Sequence, residues 1–166
     1  MSVRKITTTL NTRDINSAIK ELEKYKTELR FKVNLLMQTI VATGEQIAKA
    51  QVVELGARYT GDLANSIHGV YNPSSHIGLV YAGAWYAVYV EFGTGVVGSA
   101  SPHPTPEVAG WKYDINNHGE TGWVFLDEKD GTYHWTKGFA SRPFMYNTAR
   151  ILEDLIPKIA KEVFNQ

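Results

Sequence analysis

At 166 residues, with 43% hydrophobic and 20% charged residues, the chain carries enough apolar material for one core and too much for wholesale disorder. Lysine plus arginine and aspartate plus glutamate each number 17, so no net field attracts nucleic-acid phosphates or an anionic membrane, and no specific nucleic-acid contact is expected. The chain contains no cysteine, which excludes disulfides, thiolate metal sites and cysteine nucleophiles.

The start, Met1-Ser2-Val3-Arg4-Lys5-Ile6, has no apolar stretch behind its basic residues and predicts no secretory signal. No apolar run is long enough for a membrane span, so a soluble protein with no membrane partner is expected. From Asp14 to Leu55, Ile15, Ile19, Leu22, Leu29, Val33, Leu36, Ile40 and Ile47 recur at helical spacing and form one stripe. Asn11 or Thr12 serves as N-cap, with Asp14 near the positive end of the dipole. A continuous helix here is about 60 Å long at 1.5 Å per residue, more than one small domain covers. Val41-Ala42-Thr43-Gly44 weakens its middle, so a break into two helices stands beside the favoured reading of one long helix with a bend. The stripe itself fits a helix lying on a sheet, and its length adds contact between subunits.

The segment Thr60-Gly61-Asp62-Leu63-Ala64-Asn65-Ser66-Ile67 predicts a short turn. Ile67 to Tyr71 and Ile77 to Ala82 read as two strands joined by the turn Asn72-Pro73-Ser74-Ser75. Val96 to Pro106, rich in glycine, serine and proline, predicts an exposed loop. A second hairpin pairs Gly122 to Leu126 with Thr132 to Thr136 across Asp127-Glu128-Lys129-Asp130-Gly131. Met145, Ala149, Leu152, Ile156, Ile159 and Val163 define a C-terminal amphipathic helix with Pro143 near its start and a kink expected near Glu153, where the Pro157 ring clashes with the preceding turn.

The chemistry-bearing residues form no recognisable catalytic pattern. None of the five histidines has a spacing that places two ligands on one helical face, and no metal or cofactor is expected. His103 with Asn116-Asn117-His118-Gly119 admits a metal-dependent nuclease, but paired histidines are lacking. Nucleophile-elbow and phosphate-loop sequences are missing, and Gly93-Thr94-Gly95 reads more simply as a turn. Glu91, among Tyr86, Tyr89, Val90 and Phe92, admits an acid or base; the better reading is a structurally paired carboxylate or one capping a turn. Trp111, Trp123 and Trp135 in the segment 96–141 read as a local core closing the hairpin's own face, ahead of a ligand-stacking surface.

Trp85-Tyr86-Ala87-Val88-Tyr89-Val90-Glu91-Phe92-Gly93-Thr94-Gly95 resembles the signature of a family of tailed-bacteriophage minor tail components and head-tail joining (neck) proteins. The upstream Gly61, Leu63 and Ser66 and the downstream Arg142-Pro143-Phe144-Met145 fall in the order that family shows. Tyr146-Asn147-Thr148-Ala149 departs from the Pro-Ala pair common there, and 96–141 is longer than in compact members. The resemblance implies a non-enzymatic virion protein with no catalytic residues, assembled in the host cytoplasm. It implies a ring, a hexamer or dodecamer, at the head-tail connection of a long-tailed phage, joining or completing the tail beside head-closure and tail-terminator or tail-tube proteins.

The expected fold is α+β: a single domain over 1–166 with a long N-terminal helix and a C-terminal helix packed on a small antiparallel β-sheet, and an inserted β-hairpin. Tyr86, Tyr89, Glu91, Phe92, Gly93 and Thr94 are expected to act with Gly61, Leu63, Ser66, Arg142, Pro143 and Phe144 as a structural and interaction motif. In that reading Tyr86 and Tyr89 anchor the first hairpin to the helix, with Phe144 in the same cluster. The rivals are a metal-dependent nuclease or other hydrolase, and a ligand-binding module using the tryptophan-rich insertion.

Overall fold

A single helix, α1 (Thr12–Glu54), runs for 43 residues in the computed structural model, which describes residues 11–57, 61–114, 117–127 and 130–165. Asn11 fixes its start: the side-chain Oδ1 accepts the Asp14 backbone N–H at 2.9 Å. No break occurs at Gly44, where two helices were one alternative. A Cβ at that position would lie 2.8 Å from Leu152 Cδ1 and 3.1 Å from Val80 Cγ2. The missing side chain is the space into which the first hairpin and the last helix close, which offsets the helix-propensity loss of about 1 kcal/mol for glycine.

The last helix, α5 (Phe144–Asn165), lies antiparallel along the second half of α1. Asn147 Nδ2 donates to Gln51 Oε1 at 2.9 Å near one end, and Lys32 Nζ donates to the Phe164 carbonyl at 3.2 Å near the other. Pro157 sits inside α5, and the helix continues beyond it to Asn165. α1 therefore outruns α5 by its first 20 residues or so, about 30 Å at 1.5 Å per residue. Along that extension the apolar stripe is open, with Ile15 40%, Ile19 47% and Leu22 54% exposed.

After the short α2 (Asp62–Asn65), β1 (Ile67–Asn72) and β2 (Ile77–Ala82) pair antiparallel, Ile67 opposite Ala82 and Asn72 opposite Ile77. Asn72 Oδ1 accepts the Ser74 N–H at 2.9 Å and so shapes the turn. Alternation sends Gly69, Tyr71, Gly78 and Val80 toward α1. Gly69 and Gly78 let the strands touch the helix: a Cβ on either would stand 2.7 or 2.5 Å from a methyl of Val41. The outer face carries Val70 opposite Leu79 and His68 opposite Tyr81, with Val70 52% and Leu79 56% exposed.

The core gathers Ala48 and Val52 of α1, Leu63 of α2, Ile67 of β1, Val90 and Phe144. It lies at the end of the molecule where α1 finishes and α5 begins, so the architecture is the expected α+β one with its packing concentrated at one end.

Between Gly83 and Ser141 the chain forms α3 (Ala87–Phe92), α4 (Gly95–Ala100), two 3-10 turns, the second hairpin β3 (Trp123–Asp127) with β4 (Thr132–Thr136), and β5 (Gly138–Phe139). The second hairpin is a sheet separate from the first. Residues 96–106 correct the loop expectation. They include most of α4, and His103 is buried. Glycine there serves approach as well as bending, since a Cβ on Gly98 would lie 2.9 Å from the Gly93 carbonyl carbon. The tryptophans also differ from expectation. Trp123 pairs with Thr136 and Trp135 with Val124, which puts the two indoles on opposite faces of the hairpin, so they do not close one face together.

Candidate functional site

The segments 61–66, 86–95 and 142–144 converge at the α5 end of the core. α3 is six residues long, and its last turn presents Glu91 to the start of α5. Glu91 Oε2 accepts the Met145 N–H and Oε1 accepts the Tyr146 N–H, both at 2.9 Å. A helix leaves its first amides without intrahelical partners, and a carboxylate there satisfies them while meeting the positive end of the dipole. In the reverse direction, Arg142 N–H donates to the Val90 carbonyl at 2.9 Å and Ser141 Oγ donates to the Glu91 carbonyl at 2.5 Å. Each helix end thus supplies what the other lacks.

His103 completes the carboxylate's surroundings. Its Nε2 lies 3.2 Å from Glu91 Oε1, and its Nδ1 accepts the Thr105 N–H at 3.1 Å. An accepting Nδ1 leaves Nε2 as the protonated nitrogen of the neutral ring, donating to Glu91. The pair is buried, Glu91 at 7% and His103 at 5% exposed. Burial of a charge demands this number of partners, and here they are two amides and an imidazole.

Aromatic rings wall the pair. Phe92 lies 4.4 Å from His103 and stacks at 5.2 Å on Trp111, whose Nε1 donates to the Gly93 carbonyl at 3.0 Å. Tyr146 meets His103 edge-on at 5.3 Å. Gly93 has φ 77°, and a Cβ there would stand 2.6 Å from Ser141 N, so the backbone crossing between 93 and 141 requires glycine. Thr94 and Gly95 bridge to Phe139 and Gly138, closing the insertion on itself at its base.

The other expected positions are structural. Leu63 and Phe144, 2% and 1% exposed, sit in the core with Val90. Gly61 precedes α2 with φ 91°, and Ser66 ends it, its Oγ donating to the Leu63 carbonyl at 2.8 Å. Pro143 offers its carbonyl to the Asn147 N–H at 2.9 Å. Tyr86 flanks the core, whereas Tyr89 is 39% exposed and meets Trp111 edge-on at 5.7 Å. Tyr89 therefore faces the insertion and does not tie the first hairpin to α1; that tie is made by Val41 against Gly69 and Gly78. Thr60, Asn116, Glu128 and Lys129 lie outside the described residues.

Sequence reasoning missed Ser141 and Tyr113. Tyr113 Oη accepts the His103 N–H at 2.9 Å, and the Tyr113 carbonyl accepts the Gly95 N–H at 2.8 Å. Neither residue has a local signature, because each works through a contact distant in the chain.

His118, grouped with His103 in the nuclease reading, lies instead against Trp123 at 5.4 Å. One set of possible metal ligands occurs among the described residues: Asp127, Asp130 and His134 of the second hairpin, with ligand atoms within 4.8 Å of one another. Asp130 and His134 are exposed and bonded to each other at 2.8 Å, and Asp130 also accepts from Thr132. Those contacts account for the arrangement as a hairpin closure.

Residues 16–93 match the family model described as "Bacteriophage HK97-gp10, putative tail-component". The match spans a little under half of the chain, and over that segment the chain is similar to this family. The match runs along α1, through the first hairpin, and ends on Glu91-Phe92-Gly93, so the carboxylate that caps α5 lies inside the matched segment. The second hairpin and α5 lie outside it. Among curated proteins and among solved structures nothing matches the chain. The HK97-gp10-like match supports a structural bacteriophage tail protein with a place in the virion. No helix among the described residues is long and apolar enough to cross a membrane.

Proposed function

We propose that the protein is a non-enzymatic ring component of the head-tail connection of a long-tailed phage, joining or completing the tail beside head-closure and tail-terminator or tail-tube proteins. The observation that carries this reading is the apolar surface the chain leaves open: the first half of α1 and the outer faces of both hairpins, including Ile19 at 47%, Leu79 at 56% and Tyr133 at 76% exposed. Exposed apolar side chains in this number mark contact with another protein. Identical copies related by one rotation axis can cover such surface for one another and close into a ring.

The Glu91 site supports the same reading. A buried carboxylate with two amides and an imidazole is a latch between helix ends, and its oxygens are engaged by the fold itself.

The test is removal of the protein from the phage. Filled heads and finished but separate tails, with joining restored when purified protein is added, are the expected outcome. Normal joined virions without it would overturn the assignment.

A further inference from the structure

Resting on the ring reading above, we infer that the first halves of α1 from neighbouring copies pack against one another in parallel and in register. Ile15, Leu22 and Leu29 recur every seven residues, with Ala18 and Tyr25 between them at the alternate three-four offset. This is the a/d seam of a helix that packs on another helix. α5 ends against Lys32, so it does not reach this part of the seam, and Ile15, Leu22 and Tyr25 are 40%, 54% and 41% exposed.

The charges select the occupant and its direction. Glu21 precedes Leu22 on one flank of the seam and Lys26 follows Tyr25 on the other; both are exposed. When two such helices run parallel, the residue before one seam position faces the residue five places later on the partner, which brings Glu21 to Lys26 of the next copy. An antiparallel pair instead sets Glu21 opposite Glu28 across the seam, like against like. A second copy of this helix therefore complements the first in apolar pattern and in charge, and does so in parallel. Cyclic rotation about one axis relates neighbours in that same way, whereas a two-fold axis across the helix would oppose them.

The chain has no cysteine, so single thiols report cleanly. Ile15→Cys, Leu22→Cys and Leu29→Cys lie beyond the part of α1 that α5 covers, and each leaves the core intact. Under mild oxidation of the full-length oligomer all three should form dimers linked at like positions, while Phe31→Cys, on the opposite side of the helix and 67% exposed, should not. Glu21→Lys should lower the linked fraction at position 22 about two- to five-fold, as for one exposed ion pair, and adding Lys26→Glu should restore it. Linking at only one of the three positions would indicate antiparallel helices and overturn the proposal. An intact ring with no linking would overturn it while leaving the ring reading standing, and a monomer at every concentration would remove both.

Discussion

The Glu91 carboxylate and the Met145 amide are 54 residues apart in sequence and 2.9 Å apart in space. Through that bond the last turn of α3 becomes the cap of α5, and the first half of the chain is fastened to the last helix with the whole insertion looped out between them. Replacing Glu91 with alanine leaves two amides at the buried end of a helix without acceptors and should lower stability by about 2–3 kcal/mol. Glu91→Gln keeps an acceptor and loses the charge, so its effect should be smaller. Chemical denaturation of both variants checks the order, and equal effects would show that the charge and the hydrogen bonds do not act as described.

The contact of the first hairpin with α1 depends on the absence of a methyl. Gly78→Ala places a Cβ 2.5 Å from Val41 Cγ2 and should destabilise by about 1–3 kcal/mol through overpacking. Adding Val41→Ala removes the obstructing methyl, so the double variant should be more stable than the sum of the single losses predicts. Additive losses in a double-mutant cycle would show that the two residues do not meet.

Phe144 and Trp135 separate folding from assembly. Phe144, at 1% exposed, should lose about 3–5 kcal/mol on truncation to alanine. Trp135, at 59% exposed, should change protomer stability by no more than about 0.5 kcal/mol. Thermal unfolding at one fixed protein concentration compares both variants with the parent chain, and the size of the assembled species shows whether the Trp135 face is used between copies.

Asp130 gives the second hairpin an acid limit. Its carboxyl is held at about 2, well below the ordinary aspartate range, chiefly by the Thr132 backbone N–H, then by the His134 side chain and the Thr132 hydroxyl. A depressed folded pKa means the contribution to stability is full above the unfolded value and is lost as pH falls from near 4 toward 2. The amide resonance of Thr132 should titrate in that window, and Asp130→Asn should abolish the change. An amide that titrates identically in both proteins would assign the transition to another group.

The helices were legible because their apolar residues repeat at helical spacing whatever they pack on: α1 was expected from Asp14 to Leu55, and the Pro157 stripe continued as read. Asn72-Pro73-Ser74-Ser75 likewise marks its turn through local side-chain geometry. The structural role of Glu91 was readable as a capping carboxylate, yet its target was not, since Met145 and Tyr146 carry no sign of it. Val96 to Pro106 misled because glycine and proline signal turns, whereas Gly98 is there to let two backbones meet. His103 carries no local sign of its role, because its burial against Phe92 and Glu91 depends on contacts across the insertion. The opposite faces of Trp123 and Trp135 follow from hairpin register, which spacing alone does not specify.

The central claim is that surface left open on one protomer is covered by identical neighbours. Light scattering on the purified full-length chain, across a hundredfold or so range of concentration, tests it most directly, because association through surfaces of this size should persist on dilution. The account predicts one closed species of several copies, a hexamer or dodecamer, whose mass does not grow with concentration. A monomer throughout, or a mass that rises without limit, would contradict it.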